Sequence, residues 1–90
     1  MTVMLCRNRV ADFDAWYKLF TSNAAANEAA GLRLMHVWQC QDDPNDVYFV
    51  FDVSDKEKAL AFIAAPESHE MGERSGVLDG EYHFCDEPGG

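Results

Sequence analysis

The residues of this sequence best suited to chemistry are histidines and asparagines set among apolar neighbours. His36 falls between Leu34 and Trp38 in the alternating run LRLMHVWQCQ (32–41). A neutral imidazole on an apolar strand face can give or take a proton near pH 7. Asn8 closes the Met4–Cys6–Asn8 face of the first apolar run, TVMLCRNRV (2–10). A buried amide needs partners for both its carbonyl and its NH₂, and a bound molecule can supply them. Asn27 follows Phe20 by seven residues, at the centre of an apolar helix stripe where an unpaired amide is costly. His69 stands among Glu67, Glu70 and Glu73, whose carboxylates would favour its charged form if near. Trp38, like Trp16, offers a flat face for stacking an aromatic ring. On this reading His36 and Asn8 are the catalytic candidates, and Asn27, Trp38 and His69 hold a ligand. Each also has a structural alternative: a satisfied strand histidine, an amide bonded to a loop, an indole in the core, or an exposed helix histidine.

Other chemistries are poorly served. The sequence has no nucleophile elbow, phosphate-binding glycine loop or zinc signature. Cys6, Cys40 and Cys85 are an odd set without a CxxC, unlike the dense, paired cysteines of a secreted scaffold. His83 and Cys85 share a strand face, but two ligands do not make a metal site. No metal and no cofactor is therefore expected. Residues 1–41 carry a net charge of +1 and residues 42–90 a net of −10, giving −9 over the chain. Such acidity repels phosphate backbones and anionic membrane surfaces, so nucleic acid and membrane are excluded as partners. No apolar run approaches the roughly 18 residues of a membrane span. Arg7, Asn8 and Arg9 interrupt the N-terminal stretch too early for a signal peptide, and a cytoplasmic location is expected.

The elements that must position these residues follow from periodicity. Residues 2–10 read as a strand. Asp12 is a helix cap, and Phe13, Trp16, Tyr17, Phe20 and Ala24 recur at helical spacing, giving a helix over 13–30 that ends at Gly31. Residues 32–41 alternate as a strand, DDPND (42–46) is a turn, and VYFVFDV (47–53) is a strand apolar on both faces. Ser54 and Glu57 have the spacing of a capping box for a second helix, which Pro66 interrupts or restarts. Residues 80–86 form the last strand. The order β-α-β-β-α-β, in one domain spanning 1–90, is the α+β ferredoxin-like arrangement: a four-stranded antiparallel sheet with its helices on one face. A chain of 90 residues buries only about 64% of its unfolded surface. Val3, Leu5, residues 47–53, Tyr82 and Phe84 cannot all point at the helices, so a homodimer formed through the second sheet face is expected.

Several segments carry a resemblance. VADFDAW (10–16), the GL at 31–32, DDPND before VYFVFDV, and SDKEKA (54–59) through APE (65–67) resemble the dimeric α/β-barrel superfamily. Within it they are most similar to small antibiotic-biosynthesis-monooxygenase-like domains, over about residues 2–86. The motifs are caps, turns and buried strands. The resemblance implies paired sheets forming a barrel and a ligand cleft between each sheet and its own helices. It also implies a cofactor-independent oxygenase or cyclase acting on a small aromatic or polyketide-like compound. The alternative is a non-catalytic homodimeric ligand-binding or accessory domain. In the haem-degrading branch an Asn on the first strand works with a Trp and a His on the second helical segment. Asn8 matches the first, Phe62 stands at the Trp position and His69 falls short of the His position, which argues against haem. Alternation does not say which face of 32–41 looks toward the helices. The expectation is that Asn8, Asn27 and His36 converge, with His69 at the mouth and Trp38 as a stacking wall.

Overall fold

The first apolar run forms strand β1 (Thr2–Val10), and Asp12 then caps helix α1 (Phe13–Ser22) by accepting the Ala15 N–H at 3.1 Å. The computed structural model describes residues 1–88, and residues 89–90 of the expected domain lie outside the described residues. The single helix expected over 13–30 is broken at Asn23, and α2 (Ala24–Ala29) follows it. The Thr21 and Ser22 hydroxyls donate back to the carbonyls of Tyr17 and Leu19. Such bonds compete with the helix ladder and bend it. Gly31, at φ 80°, ends α2, and its carbonyl accepts the Ser54 N–H at 2.9 Å. A Cβ there would lie 3.0 Å from Ser54 Oγ and 3.2 Å from Asp55 N.

Strands β2 (Leu32–Gln39) and β3 (Asp46–Val53) follow as a hairpin. Asn45 in its loop fastens this turn to the helix start: its Oδ1 accepts the Phe13 N–H at 2.9 Å and its backbone carbonyl accepts the Val10 N–H at 2.8 Å. Helix α3 (Lys56–Ala64) is capped by Asp55, which accepts the Lys58 N–H, and not by Ser54, whose hydroxyl donates to the Gly31 carbonyl. Pro66 restarts the chain as α4 (Pro66–Arg74) from the first-turn position, where its missing N–H costs nothing. Strand β4 (Val77–Asp86) begins three residues earlier than the 80–86 segment expected. Among the described residues no helix is long and apolar enough to cross a membrane.

The chain therefore has the ferredoxin-like plan, with each helical connection split in two. The sheet is antiparallel in the order β2-β3-β1-β4. Its register sorts the side chains. Met4, Cys6 and Asn8 pair with Phe51, Phe49 and Val47 and face the helices. Trp16, Leu32 and Val47 are fully buried, and Trp16 stacks on Phe20 with ring centroids 4.5 Å apart. Thus four residues of the 47–53 run, Val47, Phe49, Phe51 and Val53, pack toward the helices. Tyr82 and Phe84, opposite Cys6 and Met4, belong to the same side. The second, open face carries Val3, Leu5, Tyr48, Val50 and Trp38.

In β2 the alternation fails. Leu34 pairs with Phe51 but His36 pairs with Val50, so Met35 is an extra residue with no partner across the ladder. One such residue reverses the facing of everything beyond it. Leu32 and Leu34 look toward the helices, while His36 and Trp38 look out from the open face.

On that open face Arg7 Nε and Nη2 each donate to the Asp46 carboxylate at 2.8 Å. This hydrogen-bonded guanidinium holds the Asp46 carboxyl below the usual carboxylate range. Because the native value lies below the unfolded one of about 3.9, the pair contributes stability that is complete above that value. It is lost as pH falls through the lowered native value. Asp46→Asn should therefore be destabilised relative to the parent near neutrality, with the gap closing below about pH 4. Urea unfolding of both proteins across pH 2–7 checks this, and a gap independent of pH would refute the assignment.

Candidate functional site

A cleft of about 360 Å³ opens between the sheet and the helices. Met4, Phe20, Leu32, Phe51, Phe62 and Ile63 give it apolar walls. Its polar lining comes from three elements: Asn8 at the end of the inner face of β1, Asn27 in α2, and Ser68 with His69 in the first turn of α4. Ser68 is committed to the fold, since its hydroxyl donates to the Phe62 carbonyl. The two amides are uncommitted. Asn27 is only 8% exposed, yet neither it nor Asn8 hydrogen-bonds through its side chain to another described residue, and neither amide is sealed off from the cleft. An amide in such a position is satisfied by water or by a ligand.

Gly80 makes room for Asn8. It lies opposite Asn8 across the β1–β4 ladder, and a Cβ on it would come within 2.6 Å of Asn8 Oδ1. A side chain there would force the amide to turn away. The cleft thus combines hydrocarbon walls, two free amides and one imidazole, a lining suited to a largely apolar molecule with a few hydrogen-bonding groups.

No family model matches the sequence, and no curated protein matches it. Solved structures do. A candidate antibiotic biosynthesis monooxygenase from Bordetella bronchiseptica superposes with a TM-score of 0.78 at 10% identity, over 96% of this chain and 95% of that one. A single-site variant of SnoaB, a cofactor-independent oxygenase from Streptomyces nogalater, gives 0.73 at 15% identity, over 97% and 92%. A candidate antibiotic biosynthesis monooxygenase from Nitrosomonas europaea gives 0.70 at 13%, over 98% and 99%. The chain has the antibiotic-biosynthesis-monooxygenase-like fold. At these identities the likeness is one of fold alone.

Within this monooxygenase-like fold the expected site residues divide. Asn8, Asn27 and His69 line one cleft. His36 and Trp38 do not reach it. The unpaired Met35 turns both onto the open face, where their rings stack at 5.1 Å with an interplanar angle of 23°. The convergence of His36 with Asn8 and Asn27 is therefore corrected, and so is the role of Trp38 as a wall of the cleft. Trp16 is core, tilted against Phe49 at 5.6 Å. Phe62, which stands at the Trp position of the haem-degrading pattern, is a wall of this cleft, and Ile63 and Gly80 join it there without standing out in the sequence. Of these two only Gly80 carries a local signal, since a glycine inside a strand marks a bulge or a close approach.

A larger hollow of about 500 Å³ lies on the open face among Leu5, Arg7, Trp38, Tyr48, Glu81 and His83. Its cation is taken: Arg7 is held by Asp46, with Glu81 at 3.7 Å. It offers apolar surface in place of free polar groups, so the smaller cleft is the better candidate for chemistry. Burial pushes the Cys6 thiol up to about 12, which leaves it unreactive. Among the described residues no group of three or more His, Cys, Asp or Glu side chains could hold a metal ion.

Proposed function

We propose that this domain binds a small, largely apolar molecule bearing hydrogen-bonding groups in the cleft between its sheet and helices. The observation that carries the reading is the pair of uncommitted amides, Asn8 and Asn27, in an otherwise apolar cleft. Hydrocarbon walls supply affinity, and the amides fix orientation. Self-association completes the assembly. Leu5, Tyr48 and Trp38 remain 45, 43 and 53% exposed on the open sheet face, and a second copy of this chain is the occupant that fits a self-complementary surface. A reducing, cytoplasmic setting suits the three unpaired cysteines.

A catalytic reading is favoured by one further observation: His69 lines the same cleft. In the oxygenase form of that reading, His69 takes a proton from an electron-rich aromatic substrate, and the resulting anion reacts with O₂. One oxygen atom replaces the two hydrogens of the ring carbon that is a methylene in the substrate's keto form and the other leaves as water, so the substrate's own electrons suffice and no cofactor enters. In the cyclase form His69 takes a proton from a carbon beside a ketone of a polyketide-like chain. The carbanion adds to a second carbonyl of the same chain, and the resulting alkoxide takes that proton back as a hydroxyl.

Calorimetric titration with 1-naphthol tests the binding reading. Asn27→Leu and Asn8→Leu should each weaken binding about tenfold, the worth of one lost hydrogen bond at the upper end of the usual range. His36→Ala should leave it unchanged. A folded protein indifferent to both asparagine substitutions would overturn the reading. For the catalytic form, an oxygen electrode should show uptake with electron-rich hydroxyaromatics that His69→Ala abolishes while binding persists.

A further inference from the structure

Beside the cleft lies a second, smaller hollow of about 120 Å³. Thr21, Ala24, Glu28 and Leu34 wall it, and Phe20, Asn27 and Leu32 line both hollows. Leu34 reaches this space because it precedes the unpaired Met35, after which the strand's side chains change face. Asn27, buried and without a side-chain partner among the described residues, therefore stands at the junction of two apolar spaces.

We propose that the two hollows form one binding site with Asn27 at its waist. The cleft takes an aromatic head, the smaller hollow takes a short unbranched apolar chain, and the Asn27 NH₂ donates to a carbonyl joining the two. The ligand class is then an aryl alkyl ketone. This deepens the reading of the cleft as a ligand site and rests on it. Three features set the class. A polar group on the ligand is satisfied where the amide is, between the hollows and not at the end of either. The smaller hollow matches about four water volumes at ~30 Å³ each, room for a chain of about four carbons. Exposed Glu28 and Thr21 lie at its outer side, so a chain ending in a carboxylate would meet like charge there. The tail is neutral.

The test is calorimetric titration of the full chain with phenyl n-alkyl ketones from acetophenone to octanophenone, with n-alkylbenzenes of equal length as controls. Affinity should rise about fourfold per added methylene, the equivalent of ~0.8 kcal/mol, until the chain has about four carbons beyond the carbonyl, and then level off. Ala24→Leu, at an exposed position, should erase that rise while leaving acetophenone unchanged. Asn27→Leu should weaken every ketone about tenfold and leave the alkylbenzenes unaffected. Should that variant fail to fold, the chain-length series in Ala24→Leu decides alone. Acetophenone binding without a chain-length gradient, or with a gradient that survives Ala24→Leu, overturns the two-hollow site and leaves the cleft reading standing. A folded parent protein that binds none of these compounds overturns both.

Discussion

Replacing Trp16 with alanine should remove about 3–5 kcal/mol of folding stability. Trp16 is 1% exposed and sits at the centre of an aromatic cluster, stacked on Phe20 at 4.5 Å and tilted against Phe49 at 5.6 Å and Phe13 at 5.9 Å. With Phe20, whose ring lies 5.0 Å from that of Phe49, it ties α1 to the sheet, and the vacated volume is too large for its neighbours to fill. Against a total of about 5–15 kcal/mol for a small domain, the loss leaves little margin. Urea unfolding measures it directly. Trp16→Phe should lose less, and Trp38→Ala, half-exposed on the open face, should shift the monomer's stability by about 0.5 kcal/mol or less. A Trp16→Ala loss under about 1 kcal/mol would mean that α1 is not docked as described. Because Phe20 lines the cleft, the same substitution should also weaken ligand binding.

The second large effect concerns association. Leu5 lies at the middle of the open face, opposite Val50 on one side and His83 on the other. Leu5→Glu places a carboxylate there, and a two-fold interface places it twice, in a region that already holds Glu81. The desolvation of two unpaired charges costs several kcal/mol, enough to raise the dimer dissociation constant at least about 100-fold. Light scattering at about 10 μM protein should then report a dimer for the parent chain and a monomer for Leu5→Glu. A parent chain that is monomeric at every concentration would remove the paired-sheet assembly. His36→Ala should act in this assay and not in ligand binding, because its ring belongs to the open face.

Much of this architecture is legible in the residues, and the failures have local causes. Asp12 reads as a cap because nothing competes with it. Ser54 looks like one too, but Gly31 draws its hydroxyl to a carbonyl 23 residues away, and Asp55 takes the capping role. The break at Asn23 hides inside a good helical stripe, since the Thr21 and Ser22 back-bonds that accompany it leave no mark on apolar periodicity. The site shows the same division. Asn8 and Asn27 stand out as amides on otherwise apolar periodic faces, and both line the cleft. His36 satisfied the same criterion and does not. A period of two predicts shared faces only while every residue has a partner across the ladder, and Met35 has none.

That unpaired residue also makes β2 a strand of adjustable length. Its first half is anchored through Leu32, buried in the core and lying just beyond Gly31, whose carbonyl is held by Ser54. Its second half is anchored at the turn, where Gln39 donates to the Pro44 carbonyl and the Cys40 N–H to the Asp46 carbonyl. Removing Met35 would bring His36 directly after Leu34, opposite the consecutive partners Val50 and Phe51, as an unbulged ladder requires. The loss of that one residue is thus absorbed inside the strand, and neither anchor has to move. The cleft and the open face can then diverge in sequence independently, although a single strand of eight residues builds part of both.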